Sequence, residues 1–445
     1  MTSLAGKSVH VVGMGLSGVS AARLCLRQGA SVTGFDQRAL AELGEAARHL
    51  PIEIRADLSL EALSGSDWVV VSPGVDQPAL FDALAARGAL VIGELELGAR
   101  FTEAPMCAVG GTNGKSTTTE LVAAMLREAG KKTFSGGNLG TPLCDACGQA
   151  WDYLVVEVSS FQLERAPTFR PEVSVLLNIT DDHLDRHGTF AAYAGAKGNA
   201  FVNQQAGDVA IGPHGDAEVE RQLRRGQGRV VSFGASGDYI VGAGGVLEVA
   251  SGHRYALAET RLSAHHNQLN AAAAIAAARA FGTPHEPIAR ALAAYRTLPH
   301  RLALVTRIDG VAYYDDSKAT NVGAAVAAID SLSEAKVVLI AGGKGKDGSY
   351  EPLRRALEQR GRGVVLIGEA APTMAEAFAG SVEVRRAATL DAAVSAARGL
   401  AQPGDAVLLA PACASFDMFQ SYADRGRRFV QAVERLAATV KGAGA

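Results

Sequence analysis

Residues 106–129 read MCAVGGTNGKSTTTELVAAMLREA, and this stretch decides the fold. Its apolar start predicts a buried strand, and the glycine-rich loop GGTNGKST follows directly at 110–117. Apolar side chains then recur at four-residue spacing, which predicts an amphipathic helix that ends near Gly130. A strand, a glycine-rich loop and a helix in this order are typical of a phosphate-binding loop in an α/β domain.

The residue types of this loop fit nucleotide-phosphate chemistry. Backbone N–H groups at the start of a helix point towards phosphates, and the helix dipole favours negative charge there. Lys115 is placed to contact the β- and γ-phosphates, and Ser116 is placed to bind Mg²⁺. Val109 stands where the general pattern has glycine, so this is a variant of the P-loop. The alternative is a glycine-rich turn that carries a lysine by chance.

Short apolar runs alternate with alanine-rich helical patterns along all 445 residues, which predicts parallel sheets covered by helices. We predict an α/β fold of three domains: a Rossmann-like domain at 1–97, a central P-loop ATPase domain with a mostly parallel sheet at 98–298, and a Rossmann-like domain at 299–445. The stretch 212–262 predicts a β-rich insertion, and a last helix is expected at about 422–438. The predicted strands are 9–12, 31–35, 68–71, 89–92, 106–109, 153–158, 173–179, 208–211, 311–314, 337–341, 364–367 and 406–410.

Composition and charge exclude several classes of protein. The 43 basic and 46 acidic residues give a formal charge of −3, which argues against nucleic-acid binding through bulk charge. The start MTSLAGKSVHVVGMG lacks a secretory pattern, and no apolar run approaches the roughly 20 residues of a membrane span. We therefore expect a cytoplasmic protein without a transmembrane segment. Cys144 and Cys147 form a lone C-x-x-C without further zinc ligands at the usual spacing, so we expect small, partly buried thiols.

The first block carries a second glycine pattern. Gly13, Gly15 and Gly18 follow the strand at 9–12 with the spacing of a dinucleotide fingerprint, and Asp36 ends the next strand. Chemically this pattern is a cradle for a pyrophosphate, so it suits both an NAD-dependent oxidoreductase and an enzyme with a UDP-linked substrate. The P-loop in the same chain, with no evident residues for hydride transfer, favours the UDP-linked substrate.

Polar clusters follow several of the predicted strands. Glu157 ends the run YLVVE, and DDHLDRH at 181–187 comes after the next strand, which suggests metal and substrate contacts at a carboxyl edge. In the third block, YYDDSKATN at 313–321, GGKGK at 342–346 and PACASFD at 411–417 each follow a strand. Each of these segments alone could instead be a helix cap or a flexible turn.

Together these segments resemble the Mur ligases of peptidoglycan precursor synthesis, in order and over nearly the whole chain. DDSKATN and the PACASFD segment are similar to the branch of the family that adds D-glutamate. The resemblance implies an ATP-dependent acid–amino-acid ligase that forms an acyl phosphate from UDP-N-acetylmuramoyl-L-alanine and joins it to D-glutamate. It also implies two Mg²⁺ ions and a monomer that binds no nucleic acid. The motifs are GGTNGKST, EVSSFQLE, NITDDHLDRHGTFAAYAGAK, HHNQLNAAAA, LPHRLALV, DDSKATNVGAA, GGKGKDG and PACASFDMFQSYADRG.

The resemblance also implies roles for individual residues. The implied ATP-binding residues are Gly111, Thr112, Asn113, Gly114, Lys115, Ser116, Thr117, Asn267, Asn270, Arg301 and Asp316. The implied residues for the UDP-linked substrate are Gly15, Leu16, Ser17, Asp36, Arg38, Gly74, Asn138, Ser159, Gln162 and His183. The implied amino-acid pocket comprises Lys318, Thr320, Lys346, Ser415, Phe416 and Tyr422. The implied metal ligands are Ser116, Glu157, His183 and Lys197, and the catalytic residues are Lys115, His183 and Lys197.

Lys197 has two interpretations. In the sequence AGAK it corresponds to a lysine that family members carry as a carbamate, an anion able to bind a second Mg²⁺. The residues alone, an alanine-rich helix with one lysine, favour a surface lysine.

Other functions remain open on the sequence. They are another Mur-type ligase, a folylpolyglutamate-type ligase, an L-glutamate-specific variant, a P-loop nucleotide switch and an NAD-dependent oxidoreductase. The UDP-cradle-like first block argues against the folate enzyme. A switch would hydrolyse nucleotide slowly without an acceptor, and an oxidoreductase would bind nicotinamide.

Overall fold

The computed structural model describes residues 3–138, 140–242, 244–296, 299–345 and 349–443. Within these residues the chain forms three β-sheets with helices packed against them. The contacts along the chain define two compact units. The first unit comprises residues 1–179, 189–263 and 267–295, and the second comprises 180–188, 264–266 and 296–445.

The first sheet has five parallel strands in the order β3-β2-β1-β4-β5. This order reverses between β1 and β4, and ligands of open α/β sheets bind where the order reverses. The strands are β1 (Ser8–Val12), β2 (Ser31–Phe35), β3 (Glu53–Arg55), β4 (Trp68–Val71) and β5 (Leu90–Gly93). The helices are α1 (Leu16–Arg27), α2 (Glu45–Arg48), α3 (Leu60–Leu63), α4 (Pro78–Ala86) and α5 (Glu94–Arg100).

The second sheet has nine strands in the order β14-β13-β12-β11-β10-β9-β6-β8-β7, and only the β12-β13-β14 end is antiparallel among the described residues. Strand β6, which leads into the P-loop, lies inside the sheet, and all five of its residues are buried. The strands are β6 (Met106–Gly110), β7 (Thr133–Gly137), β8 (Tyr153–Glu157), β9 (Val173–Leu176), β10 (Val209–Pro213), β11 (Arg229–Gly234), β12 (Tyr239–Gly242), β13 (Gly245–Glu248) and β14 (Arg254–Ala256). The helices of this stretch are α6 (Lys115–Glu128), α7 (Ser160–Leu163), α8 (Leu184–His187), α9 (Phe190–Gly198), α10 (Ala217–Leu223), α11 (His265–Ala280) and α12 (His285–Ala294).

The third sheet has the order β15-β16-β20-β17-β18-β19, with β15 as an antiparallel edge strand. Its inner strands β17 and β20 are buried throughout, as expected when helices cover both faces of a parallel sheet. The strands are β15 (Ala303–Ile308), β16 (Val311–Asp315), β17 (Val337–Gly342), β18 (Gly361–Ile367), β19 (Glu383–Arg386) and β20 (Ala406–Leu409). The helices are α13 (Val322–Ser331), α14 (Glu351–Arg360), α15 (Ala371–Ala377), α16 (Leu390–Leu400) and α17 (Tyr422–Ala443).

The predicted α/β fold class is confirmed, and the differences lie mostly at sheet edges. Strands β3, β7, β15 and β19 were not predicted. All four lie at sheet edges, and β3 and β19, with sequences EIR and EVRR, also lack an apolar run. The predicted strand 173–179 ends at Leu176. The insertion contains helix α10 besides its strands, and the last helix extends to Ala443.

Helix α5, which connects the first two sheets, carries two buried carboxyl groups in different surroundings. Glu96 accepts hydrogen bonds from Arg100 Nε at 2.7 Å and from Thr168 N at 3.1 Å. Glu94 Oε1 accepts one from Cys144 N at 2.7 Å, whereas Oε2 has no hydrogen-bond donor among the described residues. Burial raises the pKa of Glu94 to about 7.

We expect Glu94→Gln to stabilise the protein more at pH 8 than at pH 5. Folding raises the pKa of this carboxyl group from 4.5 to about 7. The free energy of unfolding is therefore highest below pH 4.5, where the group is protonated in both states, and it falls as the pH rises through 7, where the buried group must ionise. A shift of this size corresponds to roughly 3 kcal/mol. Glutamine keeps an acceptor for Cys144 N and carries no charge. Urea unfolding of both proteins at the two pH values measures the difference.

Glu96→Gln is the matched control for that experiment. It breaks the ion pair with Arg100, so it should destabilise the protein at both pH values. If Glu94→Gln changes the free energy of unfolding equally at pH 5 and pH 8, the raised pKa of the buried Glu94 carboxyl group is contradicted.

Candidate active site

The P-loop is held in shape by its own lysine and by a helix of the same unit. Gly114 is the N-cap residue of α6 and has φ 86°. A Cβ there would lie 2.2 Å from Asn270 Oδ1, so Asn270 packs directly against the loop. Lys115 Nζ donates hydrogen bonds to the carbonyl oxygens of Gly111 at 2.9 Å and Thr112 at 2.8 Å. The ammonium group therefore lies over the loop where phosphates are expected to bind.

Asn178 supports the loop from the segment that follows β9. Its Oδ1 accepts a hydrogen bond from Asn113 N at 2.9 Å, and its Nδ2 donates to Asn113 O at 3.1 Å. Its main-chain carbonyl accepts a further bond from Thr112 N at 3.0 Å. Asn178 was not predicted as a site residue, although its place just after a buried strand, opening the motif NITDDH, could have indicated a role.

Lys197 lies beside the same loop and is buried, so the interpretation of it as a surface lysine is wrong. Its side chain belongs to α9 and the residue is 4% exposed. Its Nζ donates to Gly111 O at 2.9 Å and lies 4.5 Å from the centre of the Tyr193 ring. The Tyr193 hydroxyl lies 3.1 Å from Thr112 Oγ1, so both side chains of α9 contact the loop.

Oxygen donors gather at the carboxyl ends of the two neighbouring strands β6 and β8. Ser116 and Thr117, in the first turn of α6, are buried. Glu157 ends β8 in register with Val109, is 3% exposed, and its Oε1 accepts a hydrogen bond from Asn138 Nδ2 at 2.8 Å. Hydroxyl and carboxylate oxygens are the ligands that Mg²⁺ prefers, so this donor set fits the ion.

The end of the first sheet opens into a cavity of about 650 Å³, which brings together most of the residues predicted for the UDP-linked substrate. Ser159 is not part of its lining. It caps α7, where its Oγ accepts a hydrogen bond from Gln162 N at 3.3 Å. The predicted residues that line the cavity are Gly15, Leu16, Ser17, Asp36, Arg38, Gly74, Asn138 and Gln162.

The acid at the end of β2 is already occupied by an arginine. Asp36 Oδ1 accepts from Arg38 Nε at 2.9 Å, and Oδ2 accepts from Arg38 Nη2 and Met14 N, both at 2.7 Å. The Arg38 side-chain hydrogen bond lowers the pKa of Asp36. In a dinucleotide-binding domain this acid binds a ribose diol, so the Arg38 pair disfavours NAD and leaves a half-exposed guanidinium at the cavity. Two glycines of the pattern are required by the packing, since Gly13 has φ 87° and a Cβ on Gly18 would lie 1.8 Å from Gly13 O.

In the second unit, loops at the carboxyl ends of the third sheet carry the predicted amino-acid pocket. Lys318 Nζ lies 5.0 Å from the centre of the Tyr422 ring, and Thr320 N donates to Lys318 O at 2.9 Å. Ser415 is buried, whereas Phe416 is 73% exposed. Lys346, which was also predicted for this pocket, lies outside the described residues.

Two further predicted site residues lie in the second unit: His183, which has an unusual backbone angle, and Asp316, which has a raised pKa. His183 has φ 55°, a value that is uncommon outside glycine and often found at functional sites. Its Nε2 lies 3.7 Å from Asp182 Oδ2, which also accepts from Asn321 Nδ2 at 3.2 Å. Burial raises the pKa of Asp316 to about 7, with Arg301 acting in the opposite direction.

The predicted ATP and metal residues are thus divided between the two units. The second unit contains His183, Arg301 and Asp316. The first contains the P-loop, Glu157, Lys197, Asn270 and Asn267, whose Oδ1 lies 3.5 Å from Asn270 Nδ2.

No helix among the described residues is long and apolar enough to cross a membrane. The five cysteines are free thiols, as expected for Cys144 and Cys147, and all five are buried rather than partly buried. Burial raises the pKa of Cys144 well above its ordinary value.

Three features together define a multidomain nucleotide-dependent α/β enzyme: a Rossmann-type sheet that ends at a cavity of about 650 Å³, a P-loop with oxygen ligands suited to Mg²⁺, and a third, mostly parallel sheet. Protein-family models match the chain as Mur ligase MurD-like N-terminal domain at residues 7–93, Mur ligase middle domain at 109–278, and Mur ligase glutamate ligase domain at 300–413. The chain belongs to the Mur ligase family.

Relatives of high coverage agree with this assignment. UDP-N-acetylmuramoylalanine--D-glutamate ligases of Syntrophotalea carbinolica and Myxococcus xanthus are each 42% identical to the chain, over 98% of its length and 99% of theirs. Among solved structures, UDP-N-acetylmuramate-alanine ligase MurC of Thermotoga maritima has a TM-score of 0.60 at 21% identity, covering 96% of this chain and 99% of that one. The MurF ligase of Thermotoga maritima, solved with ADP, has a TM-score of 0.61 at 19% identity, covering 98% and 96%. These structures support the fold, and the predicted ligase family is confirmed.

Proposed function

We propose that the chain is an ATP-dependent ligase that joins D-glutamate to UDP-N-acetylmuramoyl-L-alanine in peptidoglycan precursor synthesis. The observation that carries the proposal is the position of Asn138. This residue lines the 650 Å³ cavity of the first sheet and donates its side-chain hydrogen bond to Glu157, beside the P-loop strand. A nucleotide switch needs only the P-loop, whereas a ligase needs a second substrate site that adjoins it. The two 42% identical relatives, which are named UDP-N-acetylmuramoylalanine--D-glutamate ligases, support the choice of substrates.

The three domains take separate tasks in this proposal. Residues 1–97 bind the UDP-linked substrate, 98–298 bind ATP, and 299–445 bind the amino acid. The cavity beside Arg38 suits the anionic and polar UDP-linked substrate. Lys318, Ser415 and Tyr422, on loops at the end of the third sheet, are proposed to bind the glutamate carboxylate, and the 5.0 Å distance from Lys318 Nζ to the centre of the Tyr422 ring supports a shared pocket. We propose that the chain acts as a monomer, and the use of ATP and a UDP-sugar fits the cytoplasm.

The chemistry begins when the substrate carboxylate attacks the γ-phosphorus of ATP, which gives an acyl phosphate and ADP. Lys115 stabilises the negative charge on the phosphoryl group during this transfer, and the loop N–H groups hold the phosphates in line. The amine of D-glutamate then attacks the acyl carbon and loses a proton. The tetrahedral intermediate collapses, and phosphate leaves as the amide forms.

Mg²⁺ would neutralise the charge of the phosphate oxygens when bound. Ser116 and Glu157 are the oxygen donors of the first unit that would hold it. We propose His183 and a carbamate on Lys197 as further ligands. The carbamate would add a second anionic ligand. Because Lys197 is buried beside the loop, a bound metal ion would be needed to offset the lost hydration of that anion.

Phosphate release tests the proposal directly. The purified protein is incubated with ATP, Mg²⁺ and UDP-N-acetylmuramoyl-L-alanine, together with a panel of D- and L-amino acids. We expect release with D-glutamate and little with L-glutamate or with either substrate omitted. Release that does not depend on an amino acid would indicate a nucleotide switch instead. Borohydride added before the amino acid should reduce the acyl phosphate to the alcohol, which identifies the intermediate.

We expect Lys318→Ala to raise the KM for D-glutamate by roughly 10–150-fold while the KM for the UDP-linked substrate changes little. A charge-assisted hydrogen bond contributes ~1.5–3 kcal/mol, and each ~1.4 kcal/mol is tenfold in affinity. Lys346→Ala is expected to act in the same direction. Lys336→Ala is the control. Lys336 directly precedes strand β17, and its Nζ donates a hydrogen bond to Gln359 O, away from the pocket loops. Equal changes in both KM values would remove Lys318 from the glutamate pocket.

A further inference from the structure

Arg425 is a fully buried arginine at the start of α17, and its hydrogen bonds go to neutral groups. Its Nε donates to Ser317 Oγ at 3.0 Å, and its Nη2 donates to Ser317 O at 2.9 Å. Its Nη1 donates to the carbonyl oxygens of Cys413 at 3.2 Å and Ala414 at 3.4 Å. The residue is 0% exposed, as is Ser317. One guanidinium therefore joins the segment after β16 to the segment after β20.

These two segments lead directly into the predicted glutamate pocket. Ser317 precedes Lys318, and Ala414 precedes Ser415. Ser317 Oγ donates onward to Tyr422 O at 2.8 Å, which ties the first residue of α17 to the same group. A third loop joins them, because Ala414 and Lys344 exchange main-chain hydrogen bonds of 3.0 and 3.1 Å.

The charge of Arg425 is not explained by stability. A buried cation loses its hydration, and apolar residues of similar volume in such places are often as stabilising or more so. Burial lowers the pKa of Arg425 to about 10, so the group remains charged at neutral pH. The planar guanidinium donates several hydrogen bonds in a fixed fork geometry. This geometry sets the distance between the loops that it joins.

We propose that Arg425 is a positioning residue that sets the spacing between Lys318, Ser415 and Tyr422 and thereby the affinity for the amino-acid substrate. The inference rests on the proposed function, since it assigns the pocket that Arg425 shapes to glutamate. Arg425 makes hydrogen bonds to the loops, and its effect on substrate binding is exerted through them.

Arg360 provides a matched control in the same unit. It too donates to main-chain carbonyls, with Nη1 2.8 Å from Ile329 O and Nη2 2.8 Å from Leu332 O. The loop that it braces precedes β17 and so lies at the amino ends of the parallel strands. Arg360→Met therefore removes a similar set of hydrogen bonds without touching the pocket loops.

The test compares Arg425→Met, Arg425→Lys and Arg360→Met in phosphate-release assays with D-glutamate varied. We expect Arg425→Met to raise the KM for D-glutamate at least about tenfold over any change in the KM values for ATP and the UDP-linked substrate. Arg425→Lys, which keeps the charge and loses the fork, should show a smaller rise of the same kind. Arg360→Met should lower the melting temperature and leave the KM for D-glutamate unchanged.

Hydrogen exchange of the unliganded proteins gives a second readout that needs no substrate. Exchange at 315–320 and 411–416 should be faster in both Arg425 variants and unchanged in Arg360→Met. If Arg425→Met does not fold, Arg425→Lys carries the same comparison. KM values and exchange rates at those loops that match Arg360→Met would overturn the inference. A wild-type enzyme without glutamate-dependent phosphate release would instead overturn the proposed function, and the exchange data would still report on the loops.

Discussion

Replacing Lys115 by alanine is expected to lower ligase turnover by roughly 10³-fold, with only a small loss of stability. Cations and donors aimed at a transferring phosphoryl group typically contribute factors of this size to the rate. Lys115 is the side-chain cation of the loop itself, and its Nζ is held 2.8–2.9 Å from the carbonyls of Gly111 and Thr112. The phosphoryl charge therefore loses a nearby compensating charge in the variant.

The effect on folding should be much smaller, because Lys115 is only partly buried. Two hydrogen bonds to carbonyl oxygens are lost, a cost on the order of 1–3 kcal/mol. The hydrophobic side of α6 that packs in the core, including Leu121 and Met125, is not altered by the change. The variant should thus be folded and inactive.

The comparison that isolates this effect is Lys131→Ala, just beyond the other end of α6, where the lysine is exposed. Single-turnover acyl-phosphate formation and the melting temperature are measured for both variants. Lys131→Ala should resemble the wild type in both measurements. Near-normal turnover of Lys115→Ala would remove the loop from the mechanism, and unfolding of that variant would assign the lysine a structural role.

The P-loop could be predicted from the sequence because its parts are contiguous. Strand, glycine loop and helix occupy about two dozen residues of the chain, and their order alone determines which groups point at a phosphate. The same holds for the glycine pattern after β1. The fold class followed from the alternation of apolar runs and helices, whereas the short polar edge strands carry no such pattern.

Asn178 and Arg425 escaped prediction because their partners are distant in the chain. Asn178 bonds to Asn113, 65 positions away, and Arg425 bonds to Ser317, 108 positions away. No local period marks such pairs, so only the tertiary structure reveals them. The interpretation of Lys197 as a surface lysine failed for the same reason, since an alanine-rich helix does not show which of its faces meets a loop 86 positions away. The domain boundaries and the residue roles stay predictions.

Lys197→Ala is expected to be nearly inactive, and short carboxylates such as acetate should restore part of the activity. If the lysine reacts with CO₂, its nitrogen gains a carboxylate, loses two protons from the ammonium state and keeps one N–H. That N–H can retain the 2.9 Å hydrogen bond to Gly111 O while the new oxygens bind Mg²⁺. Alanine removes both functions and leaves a space beside Tyr193 that a small carboxylate can enter.

The charge of the added ion that restores activity shows which charge the site needs. An anionic carbamate predicts rescue of Lys197→Ala by acetate or propionate and none by methylammonium. An ammonium that only braces Gly111 predicts the reverse, because methylammonium replaces the lost donor. Lys115→Ala serves as the control for both additives, since its missing group is a cation that contacts phosphate and acetate should leave it inactive. Rescue of Lys197→Ala by methylammonium alone, or full activity without any additive, would therefore exclude the carbamate and leave Lys197 as a structural lysine of the loop.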